Sequence, residues 1–284
     1  MHVKGSNVRI AGCLAAVAVS LAPESAHAQS NAFLPSRGAV TVALSHTFEY
    51  YDEFWVGEMK VADPGVGRVE TGSASVWLQA GLLDDLALVA NFAYVDVRTN
   101  GAGGFQDQGL QDRTFLLRYR FANAARGNWR HTLVGAAGMR IPATGYDPNG
   151  PVALGDGTND ALARLVYQVQ ADRYGGTYLA VEAGVEARGG DAPNGNSLGA
   201  ELGSTFSRLS LAANVASVWA ADGSDIGEEG FTFPGLKEEF VRFGGTAYYR
   251  VSPEFGLALS GFTTVDGRNT GRSRGASTSL VVNL

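Results

Sequence analysis

The chain is short of the residues on which much soluble chemistry depends. One cysteine, Cys13, stands among 284 residues, and histidine occurs four times. Cys13 lies inside an amino-terminal stretch that reads as a cleaved leader. The remainder therefore has no disulfide, no thiol nucleophile and no cysteine-based metal site. Beyond that leader no uninterrupted apolar run approaches the roughly 18 residues of a membrane-spanning helix, which excludes a helical membrane protein. Lysine is scarce and the net charge is −6, so the chain lacks the basic surface of a nucleic-acid partner.

The leader sets the compartment. Lys4 and Arg9 precede an apolar run from Ile10 to Leu21, and Ala26, His27 and Ala28 form a small-x-small cleavage pattern. Residues 1–28 are expected to be a signal peptide. Ile10 to Cys13 mimic a lipoprotein processing site, but Arg9 leaves no hydrophobic segment ahead of the cysteine. Taking away Lys4, Arg9 and Glu24 leaves 20 basic against 27 acidic residues, a net charge of −7. Thirty-eight glycines, with abundant Ala, Val and Thr, suit strands and turns better than long helices.

Strands show as alternation with period two. In residues 177–188, Leu179, Val181, Ala183, Val185 and Ala187 share one face, and Tyr178, Glu182, Gly184, Glu186 and Arg188 the other. The same pattern sets Phe115, Leu117, Tyr119 and Phe121 against Thr114, Arg118 and Arg120, and Leu209, Leu211, Ala213 and Val215 against Ser210 and Asn214. It predicts twelve strands near residues 39–51, 67–81, 85–97, 109–122, 129–141, 159–172, 176–188, 197–206, 208–220, 237–251, 254–266 and 272–284. Tight links are expected at 83–85, 123–128, 173–175, around Ser207, and at Ser252 and Pro253. Longer links rich in Gly, Asp and Pro alternate with them.

Short turns on one side and long loops on the other are the rhythm of an outer-membrane β-barrel. The expected fold is therefore all-β: residues 29–284 form one antiparallel transmembrane barrel of about 12 strands, with short periplasmic turns and longer extracellular loops. An even strand number puts both chain ends on the periplasmic side. Aromatic residues near strand ends (Tyr50, Tyr51, Phe54, Trp55, Trp129, Tyr174, Trp219, Tyr248, Tyr249) are expected to form interfacial girdles. The final strand alternates through Leu280, Val282 and Leu284 and resembles the C-terminal strand that barrel-insertion machinery recognises, though it ends in leucine where that pattern usually has an aromatic residue. A secreted β-sandwich or soluble barrel with Greek-key connections is the competing architecture.

Three stretches carry a family resemblance: Arg118-Tyr119-Arg120-Phe121, then Gly138 through Met139, Arg140, Ile141, Pro142, Ala143 and Thr144 to Gly145, then Gly155 to Asp160. Together they resemble the outer-membrane channel family associated with the meta-pathway of phenol degradation. The resemblance implies a barrel that admits small, often apolar or aromatic, molecules.

Alternation assigns the candidate lumen residues. Arg118, Arg120, Arg140, Arg164, Glu182, Glu186, Glu201 and Arg242 are expected to face inward, along with Glu49, Gln168, Arg188 and Arg250. Arginine-rich strands near 109–172 are followed by acidic strands near 176–206. That order suits either a transverse field acting on a polar solute or mutual pairing within a polar interior. Phe231 and Phe233, in the loop from 221 to 236, are a candidate gate.

Catalysis is not expected. Lipid hydrolysis would need a base within reach of a serine hydroxyl, and only His46 and His131 follow the leader. Ser45 and His46 are strand neighbours that point to opposite faces. Asp156 to Asp160, and Asp222 with Asp225, Glu228 and Glu229, are acidic but lack a calcium-loop pattern. No metal or cofactor is expected. The expected partners are outer-membrane lipid and lipopolysaccharide, the barrel-assembly machinery during biogenesis and a small-molecule solute, with no nucleic acid. The expected function is passive conduction. The alternative is a non-conducting structural or surface-interaction barrel working through its loops.

Overall fold

The computed structural model describes residues 31–62, 65–101, 104–143, 145–149, 153–171 and 176–284, so the expected leader lies outside the described residues. Strands follow in the order β1 (Val40–Tyr51), β2 (Glu53–Val56), β3 (Met59–Ala62), β4 (Val69–Leu83), β5 (Leu86–Thr99), β6 (Gln106–Leu110), β7 (Arg113–Arg126) and β8 (Trp129–Ile141). They continue as β9 (Asp160–Ala171), β10 (Thr177–Ala187), β11 (Gly195–Phe206), β12 (Leu209–Ala220), β13 (Glu239–Arg250), β14 (Phe255–Arg268) and β15 (Arg274–Asn283).

Twelve of these positions make a closed antiparallel wall. Each strand pairs with its neighbour in sequence, and β15 returns to β1 from Thr41↔Asn283 to Tyr50↔Arg274. Reciprocal backbone bonds between Val40 and Leu284, 2.9 and 2.8 Å long, tie the two ends of the wall together. Closure leaves no free edge along this seam, which a barrel in lipid requires because every backbone amide there must find a partner within the protein.

The alternation is realised as inside and outside. Leu44, Phe48, Val76, Phe92, Leu117, Leu165, Leu179, Leu198, Leu211, Leu257, Leu259 and Leu280 all stand exposed on the outer face. An apolar belt of that extent would aggregate in water, and in lipid it is the required solvent contact. Glycines let bulky inward rings lie flat against the wall. Tyr178 covers Gly203 and Phe262 covers Gly275, each directly opposite its glycine. A Cβ on either glycine would come within 2.5 or 2.2 Å of the ring.

Three expectations need correction. The predicted strand at 109–122 is two strands, β6 and β7, interrupted at Gln111 and Asp112. The link expected at 123–128 shrinks to Gly127 and Asn128, because β7 pairs with β8 as far as Arg126↔Trp129; Gly127 takes a positive φ of 64° there. Tyr51, Phe54 and Trp55 are no girdle. They are 2%, 0% and 5% exposed, since the loop after β1 folds inward as the β2–β3 hairpin. Trp129, Trp219 and Tyr249 do face outward, and Tyr174 lies outside the described residues.

Candidate functional site

The lumen has three levels, each built by a different part of the chain. At the end with the short turns, residues 31–36 leave the turn at Gly38 (φ 82°) and run inside the barrel. The Ala32 amide donates to Gln168 Oε1 at 2.9 Å, and Asn31 Nδ2 donates to Glu201 Oε1 at 3.3 Å. Arg118, 2% exposed, donates to the Asn31 carbonyl and, at 3.4 Å, to that of Phe33. The Phe33 ring meets Tyr178 edge-to-face at 5.1 Å, and Ala32 packs against Val134, Val166 and Ala180. Tyr178 in turn donates to Glu201 at 2.6 Å. A short backbone segment thus fills the lower lumen, and the barrel's buried polar side chains satisfy its amides and carbonyls.

The middle level is ionic. Arg140 reaches Asp160 and Glu186 at 3.3 Å, and Arg164 reaches Glu182 at 3.7 Å and Glu186 at 3.9 Å. Arg188 joins Glu186 at 3.2 Å and Asp156 at 3.3 Å. On the facing wall Glu49, 1% exposed, lies 3.5 Å from Arg242. That arginine also donates to Ser273 at 3.1 Å and stacks 4.5 Å from the Phe262 ring. Glu49 sits on β1 and Arg242 on β13, so the pair bridges β15 and β14 along the inner wall. The acids and bases of β8, β9 and β10 meet one another, and little transverse field is left over.

The upper level is a cap with its own core. Tyr51, Phe54, Val66, Val69, Ala93, Val95, Val97, Leu154 and Ile226 form it, with Phe231 and Leu236 packed on top. Phe233 touches Phe231 edge-to-face at 5.3 Å. Asn269 is the hub of the cap. It is fully buried, with φ 51°, a left-handed conformation asparagine tolerates. Its Oδ1 accepts from the Gly57 and Ile226 amides at 2.7 and 3.2 Å; its Nδ2 donates to Asp225 and to the Lys237 carbonyl, both at 2.7 Å. Arg268 clamps Asp225 through two bonds of 2.7 and 2.6 Å and reaches Glu58 at 2.9 Å. Hydrogen bonds from Arg268 hold the Asp225 carboxyl below its usual range. Bonds from Arg272 first, and then from Lys60, bring Glu53 on the hairpin down to about 2.

The remaining sequence candidates are placed as follows. Arg120 stands apart from the ionic group, at the short-turn rim, bonded to the Asp84 carbonyl at 3.3 Å and 3.5 Å from Asp85. His46 is exposed on the outer face, while Ser45 points inward to Ser279 at 2.8 Å. His131 bonds Tyr167 at 2.7 Å. Of the acidic loop residues, Asp225 is clamped by Arg268, Asp222 accepts from the Asn194 amide at 3.2 Å, and Asp156 pairs with Arg188. Among the described residues no group of three or more His, Cys, Asp or Glu is placed to hold a metal ion.

Sequence reasoning missed the lumen segment and the hub. Phe33 and Leu34, two large apolar residues ahead of the first strand, were the signal for the first; nothing local to Asn269 announces the second. It also missed Asp112. At the wall's interruption Asp112 accepts from Tyr146 and from the Ala143 and Asp156 amides, at 3.1 and 3.2 Å, which anchors the loop between β8 and β9.

No family model matches the chain, and no curated protein matches it. Among solved structures it is similar to an outer membrane channel from Pseudomonas putida F1, with a TM-score of 0.67 at 17% identity, covering 89% of this chain and 97% of that one. More distant similarities include the translocator domain of the autotransporter NalP from Neisseria meningitidis, at a TM-score of 0.47 and 11% identity over 91% of each chain. The NanC porin follows at 0.49 and 8% identity, over 86% of this chain and all of that one. Wall closure, the outer apolar belt and the first of these similarities agree: the chain has the fold of a twelve-stranded outer-membrane β-barrel.

Proposed function

We propose that this protein is a passive outer-membrane channel for small molecules, without a chemical step or a cofactor, residing in lipid and lipopolysaccharide after insertion by the barrel-assembly machinery. One observation carries this reading. The obstructions inside the wall are chain segments docked on it, residues 31–36 below and the cap above, rather than a continuous core of side chains running through the barrel. The lower segment, held mainly by a handful of hydrogen bonds, can leave and return; a packed core cannot.

In this reading Arg118, Gln168 and Glu201 hold the lower segment. Arg140, Arg164, Glu182 and Glu186 keep the middle of the lumen polar and mutually neutralised, Arg242 braces the opposite wall through Glu49, and Phe231 with Phe233 seats the upper loop. The solute is small, and apolar or aromatic molecules suit a lumen whose charges are already paired.

The other reading is a silent barrel that works through its extracellular loops, and the dense bonding and packing of the Asn269-centred cap favour it. Planar-bilayer recording on the refolded protein separates them. Discrete current steps that grow on deletion of residues 31–36 support the channel; a silent trace from both the parent and the deletion variant leaves the loops as the working surface.

A further inference from the structure

The hairpin of β7 and β8 reaches past the neighbouring wall at the short-turn end. β5 pairs with β7 from Asn91↔Thr114 to Leu86↔Tyr119, and the last bond on that side runs from the Arg120 amide to the Asp85 carbonyl at 2.9 Å. β7 then continues from Phe121 to Arg126, about 20 Å further along its axis. β8 covers one edge of this overhang as far as Arg126↔Trp129. Among the described residues no strand covers the other edge. Every residue from Phe121 to Arg130 is exposed.

The turn fixes which backbone groups are left over. Gly127 and Asn128 form a two-residue link, so Arg126 and Trp129 exchange both of their backbone hydrogen bonds. Alternation along the ladder then directs Ala124 and Ala122 at β8, and turns the N–H and C=O of Ala125 and Asn123 to the open side. None of these four groups has a backbone partner among the described residues. Unpaired amides are not sustained in hydrocarbon, which sets the overhang in the aqueous periplasm. The side chains along it are short (Ala122, Asn123, Ala124, Ala125), so another backbone can come close.

Charge narrows the occupant. Arg126 stands across from Trp129 on the outward face; Arg130 stands across from Ala125 on the other face, with Nη1 3.5 Å from Asn123 Oδ1. Neither arginine makes an ion pair among the described residues. Charge on an edge discourages neutral strands, and it favours one of opposite sign. A second copy of this chain does not fit. Barrel strands tilt about 35–45°, so two overhangs related by a two-fold axis along the membrane normal cross at about 70–90° and cannot lie side by side.

We propose that the β7 overhang is a docking edge for a periplasmic protein, which adds an extended segment beside Phe121–Arg126, antiparallel to β7 and in line with β5. Backbone bonds to Asn123 and Ala125 supply affinity, and the flanking side chains supply selectivity. The segment is acidic where it starts, passing Arg126 on one face and Arg130 on the other. Where it ends it meets the 62%-exposed Phe121 ring and the Asp84–Asp85 turn, which suit an apolar residue and disfavour a further acid. The docking is independent of whether the barrel conducts.

The test uses the refolded protein in uncharged detergent and a short fluorescent peptide that opens with consecutive glutamates and continues in alternating threonine and valine. A second peptide carries lysine in place of each glutamate. The expected result is a saturable rise in anisotropy with the glutamate peptide, at least about tenfold tighter than with the lysine peptide, the change expected when two exposed attractions become repulsions. Ala125→Pro should abolish it, because proline there removes an N–H that faces the open side and leaves the bonds to β8 in place; unaltered heat-modifiable mobility checks that the barrel is intact. Arg126→Glu combined with Arg130→Glu leaves the backbone alone and should reverse the preference between the peptides. Glutamate-peptide binding that survives Ala125→Pro in an intact barrel would mean that the arginines act without the edge, and overturns the proposal. So does indifference to peptide charge, the absence of saturable binding, or self-association of the protein that Ala125→Pro abolishes, which would make a second copy the occupant.

Discussion

Replacing Arg118 by methionine tests whether residues 31–36 are a removable obstruction. Methionine keeps much of the aliphatic volume and removes the guanidinium. Arg118 donates to the Asn31 and Phe33 carbonyls from a position that is 2% exposed. Hydrogen bonds to a charged group are worth about 1.5–3 kcal/mol each. The bond to Phe33 is long at 3.4 Å, and both carbonyls can hydrate once the segment leaves, so the docked state should lose about 2–3 kcal/mol. At about 1.4 kcal/mol per factor of ten, that raises the ratio of undocked to docked segment about 30- to 150-fold. The assay is single-channel recording of the parent, of Arg118→Met, of a deletion of residues 31–36, and of the two combined. Open probability should rise strongly in Arg118→Met while the open-state conductance matches that of the deletion variant. In the deletion background, Arg118→Met should leave open probability alone, which separates docking from any direct effect of the arginine on permeating ions. A deletion variant that conducts, beside an Arg118→Met protein that opens no more often than the parent, would refute the assignment of Arg118 as the anchor.

Three further outcomes are expected. Gly138→Ala should destabilise the barrel by about 1–3 kcal/mol, because the new Cβ would fall 1.9 Å from the Phe115 carbonyl and 2.8 Å from Leu116 Cα, backbone that cannot yield; Gly72→Ala, with open space at its Cβ, should not. Thermal melting of the two variants side by side decides it. Asp225→Ala removes two of the bonds of Arg268, which keeps Glu58, and one of those of Asn269, and should weaken the cap by about 1–3 kcal/mol, read as faster proteolysis within residues 221–238. Because the Asp225 and Glu53 carboxyls are held below their usual range, their contribution is fully present above the unfolded value of about 4 and is lost as pH falls through the depressed folded one. Cap protection against an acid-active protease should thus be constant from pH 8 to 5 and decline between about 4 and 2; a decline near pH 6 would point to a different group.

Alternation made the wall legible because each residue's face is a local property. Leu179 and Glu182 differ in address by parity alone, and no partner need be known to place them. The same logic stopped at partners. Arg140 meets Asp160 directly across the β8–β9 pairing but reaches Glu186 one strand further on, and Glu49 finds Arg242 over two intervening strands. Such meetings depend on the stagger between strands, which no single segment encodes. Parity also misled at the ends. Tyr51, Phe54 and Trp55 carry the composition of a girdle, yet the β2–β3 hairpin turns them into the cap core, a choice made by Asn269 and Ile226 more than 170 residues later.

The unread parts have a common physical character. Residues 31–36 and the cap are irregular backbone placed inside a closed wall, where each amide and carbonyl needs a partner that water outside the barrel cannot supply. The wall meets that need with buried polar side chains: Gln168 and Arg118 below, Asn269 above. A barrel interior that only had to be wet could be lined by any mixture of small polar residues, as β15 is by Ser277 and Ser279. Instead, large and costly side chains are buried at the points where a loop or tail must be held. In the lower segment, bonds of this number and strength hold the chain in place at rest and still let it go within the few kcal/mol that a conformational equilibrium can supply. The polar residues that look like a solute path are thus in large part the fittings of its two stoppers. On the channel reading, a solute's own contacts are to be sought in the stretch between them.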